Sequence, residues 1–226
     1  MSSRDDILAS IRANRPQLER SLPAVPLFDD PPPPSLLAAF KENLELMGGI
    51  FLDPPESGDV LAPVRAKIAD AKVVCSTVPE IAGNRDIRAI AAPRELADVD
   101  FAIARASFAV AETGSVLFDD KDLQVNAVAY LAQHLIVLLD PADIVINLHH
   151  AYRRPEFRDR HYACFHSGPS ATADIEGVLI HGAQGVRSLS LLPLARTSGA
   201  STAWAPAGPE QAERSEACPR PSHRDG

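Results

Sequence analysis

Cysteine is scarce and scattered. Cys75, Cys164 and Cys218 share no CxxC spacing, which argues against a disulfide framework and against an iron–sulfur or thiolate-zinc site in this chain. Long apolar runs are also missing. A bilayer span needs about 18 to 20 continuous apolar residues, and the longest candidate, Leu135 to Leu148, is interrupted by Asp140, Pro141 and Asp143. Basic residues are outnumbered, 22 Lys and Arg against 30 Asp and Glu, for a formal net charge of -8. That balance argues against nucleic acid or an acidic membrane surface as partner. The one basic group, Arg153-Arg154 with Arg158 and Arg160, reads as a solvated face. There is no Walker A motif, no GxGxxG after a strand and no GxSxG elbow. Nucleotide binding through those loops, NAD binding and a Ser-His-Asp hydrolase are therefore without support. The seven histidines show no HxH or HExxH spacing, and no metal is expected.

What is present is ample apolar material, 46% of 226 residues, enough for one sizeable core with appendages. Ser3 can cap a first helix with Asp5 and Asp6 in its opening turn. Ile7, Leu8 and Ile11 form a stripe on it, expected to pack on the chain's own domain. This charged, helical start is unlike a signal peptide, and with the scattered thiols it sets the expectation of a cytoplasmic protein. Leu22 to Pro34 carries six prolines and reads as an extended linker. Ala195 to Gly226 contains no Leu, Ile, Val, Phe or Met and reads as a mobile tail that only Trp204 could anchor. Three segments are expected: an arm and linker over 1–34, a folded domain over 35–194, and the tail over 195–226.

Within the domain, Ser35 begins a helix whose Leu36, Leu37, Phe40, Leu44 and Met47 share a face, and Gly48-Gly49 stops it. Short apolar runs then alternate with helical patterns. Strands are expected at 50–52, 72–76, 101–104, 108–111, 116–118, 134–139 and 161–165, and helices at 60–71, 93–97, 141–152 and 172–179. This alternation predicts an α/β fold, a mostly parallel sheet with helices on both faces.

Two stretches concentrate chemistry. In Ala109 to Phe118, AVAETGSVLF, a buried strand breaks at Glu112-Thr113-Gly114-Ser115 and resumes. A carboxylate and two hydroxyls thus sit at a strand end, where α/β sheets line their ligand crevice. Glu112 in a partly desolvated corner could act as acid, base or nucleophile, or the segment could be a plain turn from which Glu112 points to water. In Ser167 to Gly185, SGPSATADIEGVLIHGAQG, hydroxyl residues and acids follow a strand and open the expected helix. Free N–H groups at such a helix start, with the hydroxyls of Ser167, Ser170 and Thr172, would hold a small anion, although the same residues would serve as plain caps. Gly168, Asp174, Glu176, His181 and Gly182 complete that loop, and His134 begins the strand HLIVLL near a sheet edge.

AETGSVLF, HLIVLL with its leading His134, and SGPSATADIEGVLIHGAQG together resemble the lactate utilization protein C family, also called the YkgG or LUD-domain family. The likeness runs in order from about Phe101 to Leu192 and departs at Gln184-Gly185-Val186, where family members carry His-Gly-Pro. It implies the fold shared by glucosamine-6-phosphate deaminases, ribose-5-phosphate isomerases and CoA transferases. It also implies a part in oxidising L-lactate to pyruvate, with the iron–sulfur clusters on partner proteins and no cofactor in this chain. The expected ligand is a small carboxylate or other anion. Two other readings stay open: a stand-alone acyl- or CoA-transferase, isomerase or cyclo-ligase using Glu112, or a non-catalytic metabolite-binding module.

Overall fold

A computed structural model describes residues 3–15, 23–28, 31–157, 160–174 and 176–196. The expected tail, with Trp204, lies outside the described residues from 197 onward, as does Arg158. The chain begins with helix α1 (Ser3–Ala13), which buries none of its residues; Ile7 and Ile11 are 57% and 61% exposed. The stripe expected to pack on its own domain therefore faces outward. Part of the linker is pinned to the domain, since the Asn147 amide donates to the carbonyls of Leu27 and Phe28 at 2.6 and 3.0 Å.

In the domain follow α2 (Leu36–Leu46), β1 (Ile50–Phe51), α3 (Ala62–Ile68), β2 (Val74–Ser76), β3 (Phe101–Arg105), β4 (Phe108–Val110) and β5 (Ser115–Asp119). Next come α4 (Asp120–Leu123), α5 (Val128–Leu131), β6 (His134–Leu139), β7 (Ile144–Val145), α6 (Leu148–Ala151), β8 (Ala163–His166), β9 (Ala171–Thr172), β10 (Ile180–His181) and β11 (Ser188–Pro193). The main sheet has the order β1-β11-β6-β3-β2, and every neighbouring pair in it is parallel.

Side chains alternate across a strand, so both faces of this sheet need cover. Ala102, Ala104, Leu135, Val137, Leu139, Leu189 and Leu191 pack on one face with Phe40 and Leu44 of α2. Ile103, Ile136, Leu138 and Leu192 pack on the other with Val64 of α3. The predicted α/β class, with helices on both faces, is what forms. Ser35 caps α2 by accepting the Ala38 N–H at 3.2 Å, as expected, but Met47 at its end is 51% exposed and not part of the buried face.

The expected strands do not all join one sheet. A second sheet of four runs β7-β4-β5-β8, antiparallel except for the β4–β7 pair, over a separate cluster of Phe108, Val110, Leu117, Val145 and Ala151. The helix expected over 141–152 is divided: a 3-10 turn at Pro141–Asp143, then β7, then α6 with Asn147 as its cap. β-branched Ile144 and Val145 gain more by pairing with β4 than a helix there would offer. The helix over 172–179 does not form either. β9 and β10 pair as a small antiparallel ribbon, and Val178 and Leu179 are each 60% exposed. With Gly177 in its middle and nothing to bury its apolar residues against, an eight-residue helix has no support.

Candidate functional site

The turn between β4 and β5 is built by its neighbours. The N–H groups of Ala111 and Glu112 donate to the carbonyls of Val145 and Ile146 at 2.9 and 3.0 Å. Asn43 of α2 donates to the Ala111 carbonyl at 2.8 Å. Gly114 sits at φ +61° with the backbone of Asn43 and Leu44 directly where a Cβ would stand. Gly168, at φ +70°, is pressed in the same way against the Met47 carbonyl. Both motif turns therefore dock on the last turn of α2, and each requires glycine to do so. There the hydroxyls of Ser115 and Ser167, 52 positions apart, hydrogen-bond to each other.

Beside this pair lies a cleft of about 490 Å³, walled by Leu46, Met47, Tyr152 and Phe165 and edged by Glu112 and Thr113. The Thr113 hydroxyl is buried and has no hydrogen-bond partner among the described residues. Glu112 is exposed, not desolvated as expected; its carboxylate accepts the Leu148 N–H at 3.2 Å. No Lys or Arg lines the cleft among the described residues.

Glu112, Thr113, Gly114, Ser115, Ser167 and Gly168 are thus brought together, and the other expected site residues are distributed. Ser170 and Gly182 form a backbone ladder with Val186, through N–H to carbonyl bonds of 2.9 Å each. His181 lies beside Gly48, with its ring 3.9 Å from the position a Cβ there would take. Asp174 and Glu176 are exposed in the β9–β10 turn, where the Asp174 N–H donates to the Thr172 hydroxyl at 3.4 Å. Without the helix, this segment offers no helix start to an anion. His134 is at the amino end of β6, a central strand and not an edge. Its Nδ1 shares a 2.8 Å hydrogen bond with Ser188 and its ring stacks on Phe101. Burial, and then the nearby Arg187 and Lys67 charges, hold its pKa below the ordinary value.

At the opposite, carboxyl end of the parallel strands the structure shows a crevice that sequence reading missed. It holds Ser107 beyond β3, Asp119 at the end of β5, Lys121 and Asp122 of α4, and Arg196 beyond β11. The Ser107 hydroxyl donates to Asp122 Oδ2 at 2.6 Å, and the Asp119 N–H donates to the same oxygen at 3.0 Å. Burial pushes the Asp122 carboxyl up to about 6, reinforced by the Asp119 charge and opposed by Ser107 and Arg196. The basic group read as a solvated face is partly interior: Arg154 is 6% exposed and pairs with Glu156 at 2.8 Å, and Arg160 pairs with Asp119. Ser107, Asp119, Lys121, Asp122 and Arg196 are dispersed from 107 to 196 with no local motif to mark them.

A second interior feature is His166, whose Nε2 is buried without a hydrogen-bond partner among the described residues, between the rings of Phe118 and Tyr130. Burial lowers its pKa to about 4. Among the described residues no group of three or more His, Cys, Asp or Glu is placed to hold a metal, and no helix is long and apolar enough to cross a membrane.

Comparison with known proteins places the fold. A crystal structure of a DUF162 family protein from Deinococcus radiodurans superimposes with a TM-score of 0.53 at 15% identity, covering 69% of this chain and 94% of that one. At that identity the likeness concerns the fold alone. No curated protein matches the chain. The family model described as the LUD domain matches residues 67–192, which is 126 of the 226 residues and includes AETGS, the HLIVLL strand and the whole SGPSATADIEG segment. With more than half of its length so matched, the chain belongs to the LUD-domain family, the lactate utilization family that its motif segments resemble.

Proposed function

We propose that this protein is the accessory, non-redox subunit of a cytoplasmic L-lactate utilization system, working beside partners that carry iron–sulfur clusters, and that it binds a small anionic ligand. Oxidation of lactate to pyruvate must deliver two electrons to an acceptor, and this sequence carries no recognisable cofactor motif, so the acceptor belongs to the partners. The observation that carries the reading is the meeting of the two family segments at one cleft, through the Ser115–Ser167 hydrogen bond on the last turn of α2. The rival reading, a stand-alone transferase, isomerase or cyclo-ligase, needs Glu112 as a desolvated nucleophile or base. Its exposure and its bond to the Leu148 N–H give that role no support. Deleting the gene should abolish growth on L-lactate and spare growth on glucose. Unchanged growth on lactate, with no paralogue present, would refute the subunit role.

A further inference from the structure

Two neighbouring hollows of about 450 and 280 Å³ open at the carboxyl ends of β2, β3, β6 and β11, and both are lined by Lys121, Asp122 and Arg196. We propose that this crevice is a binding site for a hydroxylated monocarboxylate, with Lys121 on the carboxylate and Asp122 on a neighbouring hydroxyl. The inference rests on the small-anion reading above and gives that anion a place, which the cation-free motif cleft does not.

Charge sets the ligand class. Four arginines face the crevice, and each is already committed to a carboxylate: Arg105 to Glu80, Arg154 to Glu156 and Asp143, Arg160 to Asp119, and Arg196 to Asp143. Lys121 makes no ion pair among the described residues and is exposed on the wall common to both hollows. One uncommitted cation meets one negative charge. A second charge, as on phosphate, would face Asp119, Asp140, Asp143 and Glu156 with no further free cation among the described residues to offset it. Those carboxylates already accept from Arg154, Arg160 and Arg196, which leaves Asp122 to meet a ligand hydroxyl.

Asp122 supplies the second contact. Both of its observed hydrogen bonds, from Ser107 and from the Asp119 N–H, end on Oδ2, which leaves Oδ1 without a partner among the described residues. The bond to the Asp119 N–H is half of a capping box and would by itself explain an acid at this position. It does not explain the Ser107 hydroxyl held at 2.6 Å or the place of Asp122 on the wall of both hollows. Besides burial, the groups that set its ionisation are Ser107 from the β3–β4 connection, Asp119 at the end of β5, which caps α4, and Arg196 beyond β11. When Asp122 is protonated, an incoming anion meets one negative charge fewer, so binding weakens as pH rises through about 6.

Isothermal titration of the full chain against L-lactate, D-gluconate and inorganic phosphate tests the site. At least one hydroxy acid should bind while phosphate does not, and whichever acid binds tells a short 2-hydroxy acid from a longer sugar acid. Lys121→Met, at an exposed position, should keep the wild-type melting temperature and lose roughly 10- to 100-fold in affinity, the usual worth of a hydrogen bond to a charged group. Asp122→Asn retains the capping acceptor and should flatten the pH dependence of binding. Absence of hydroxy-acid binding, phosphate binding tighter than either acid, or wild-type affinity in Lys121→Met would each overturn the proposal. If binding fails while the deletion strain still loses growth on lactate, the crevice is the wrong site and the subunit role stands. If the crevice binds but the deletion strain grows normally, the reverse holds.

Discussion

Two partly buried titratable residues, His166 and Asp122, pull stability in opposite directions with pH. His166 is neutral in the fold, with its pKa lowered by burial from 6.5 to about 4, so the unfolded chain takes up a proton first and stability falls as pH drops from about 6.5 toward 4. Asp122 is raised from 3.8 to about 6, so the folded chain holds a proton the unfolded chain has lost, and stability falls as pH rises from about 4 toward 6. The two slopes offset each other in the wild type. His166→Phe fills the same apolar slot between Phe118 and Tyr130 and should make the protein gain melting temperature as pH falls from 6 to 4. Asp122→Asn should show the opposite trend, losing melting temperature over that interval. Thermal melts of the three proteins across this range check the assignment; parallel curves would show that neither group is shifted in the fold.

At the scale of elements, the last turn of α2 is the organiser of the motif cleft. Gly114 has φ +61° and touches the backbone of Asn43 and Leu44, so Gly114→Ala adds both a left-handed penalty and a clash with a main chain that cannot rotate away. The left-handed conformation alone costs about 1–2 kcal/mol for a residue with a Cβ. A loss of at least that size in denaturant unfolding is expected, together with separation of Ser115 from Ser167; a loss below about 0.5 kcal/mol would mean the turn is held less tightly than its contacts indicate.

The parallel core was legible in the sequence because HLIVLL is apolar on both faces, and a strand buried on both faces has no alternation to hide. The two-sheet arrangement was not, since 108–110 and 115–119 look like central strands whether their neighbours run parallel or antiparallel. The segment over 172–179 misled because its acids and apolar residues have helical spacing, yet no surface of the domain is there to receive Val178 and Leu179. Glu112 to Ser115 and Ser167-Gly168 were recognisable as turns from their hydroxyls and glycines, and the structure brings the two together. Lys121, Asp122, Ser107 and Arg196 were not, because the fold brings them together across 90 positions without a shared motif.

For the whole molecule, the fold provides two differently furnished concavities. The motif cleft has apolar walls, with Leu46 and Tyr152 exposed at 76% and 63%, and hydroxyls at its edge. The carboxyl-end crevice is charged, nearly balanced and lined by an acid that burial raises to about 6. The most direct measurement is purification of the tagged full chain from cells growing on L-lactate, followed by iron and acid-labile sulfide determination on the material that comes with it. Iron–sulfur proteins should co-purify from lactate-grown cells and be absent from the material recovered from glucose-grown cells. Recovery of the chain alone, free of iron under both conditions, would contradict it.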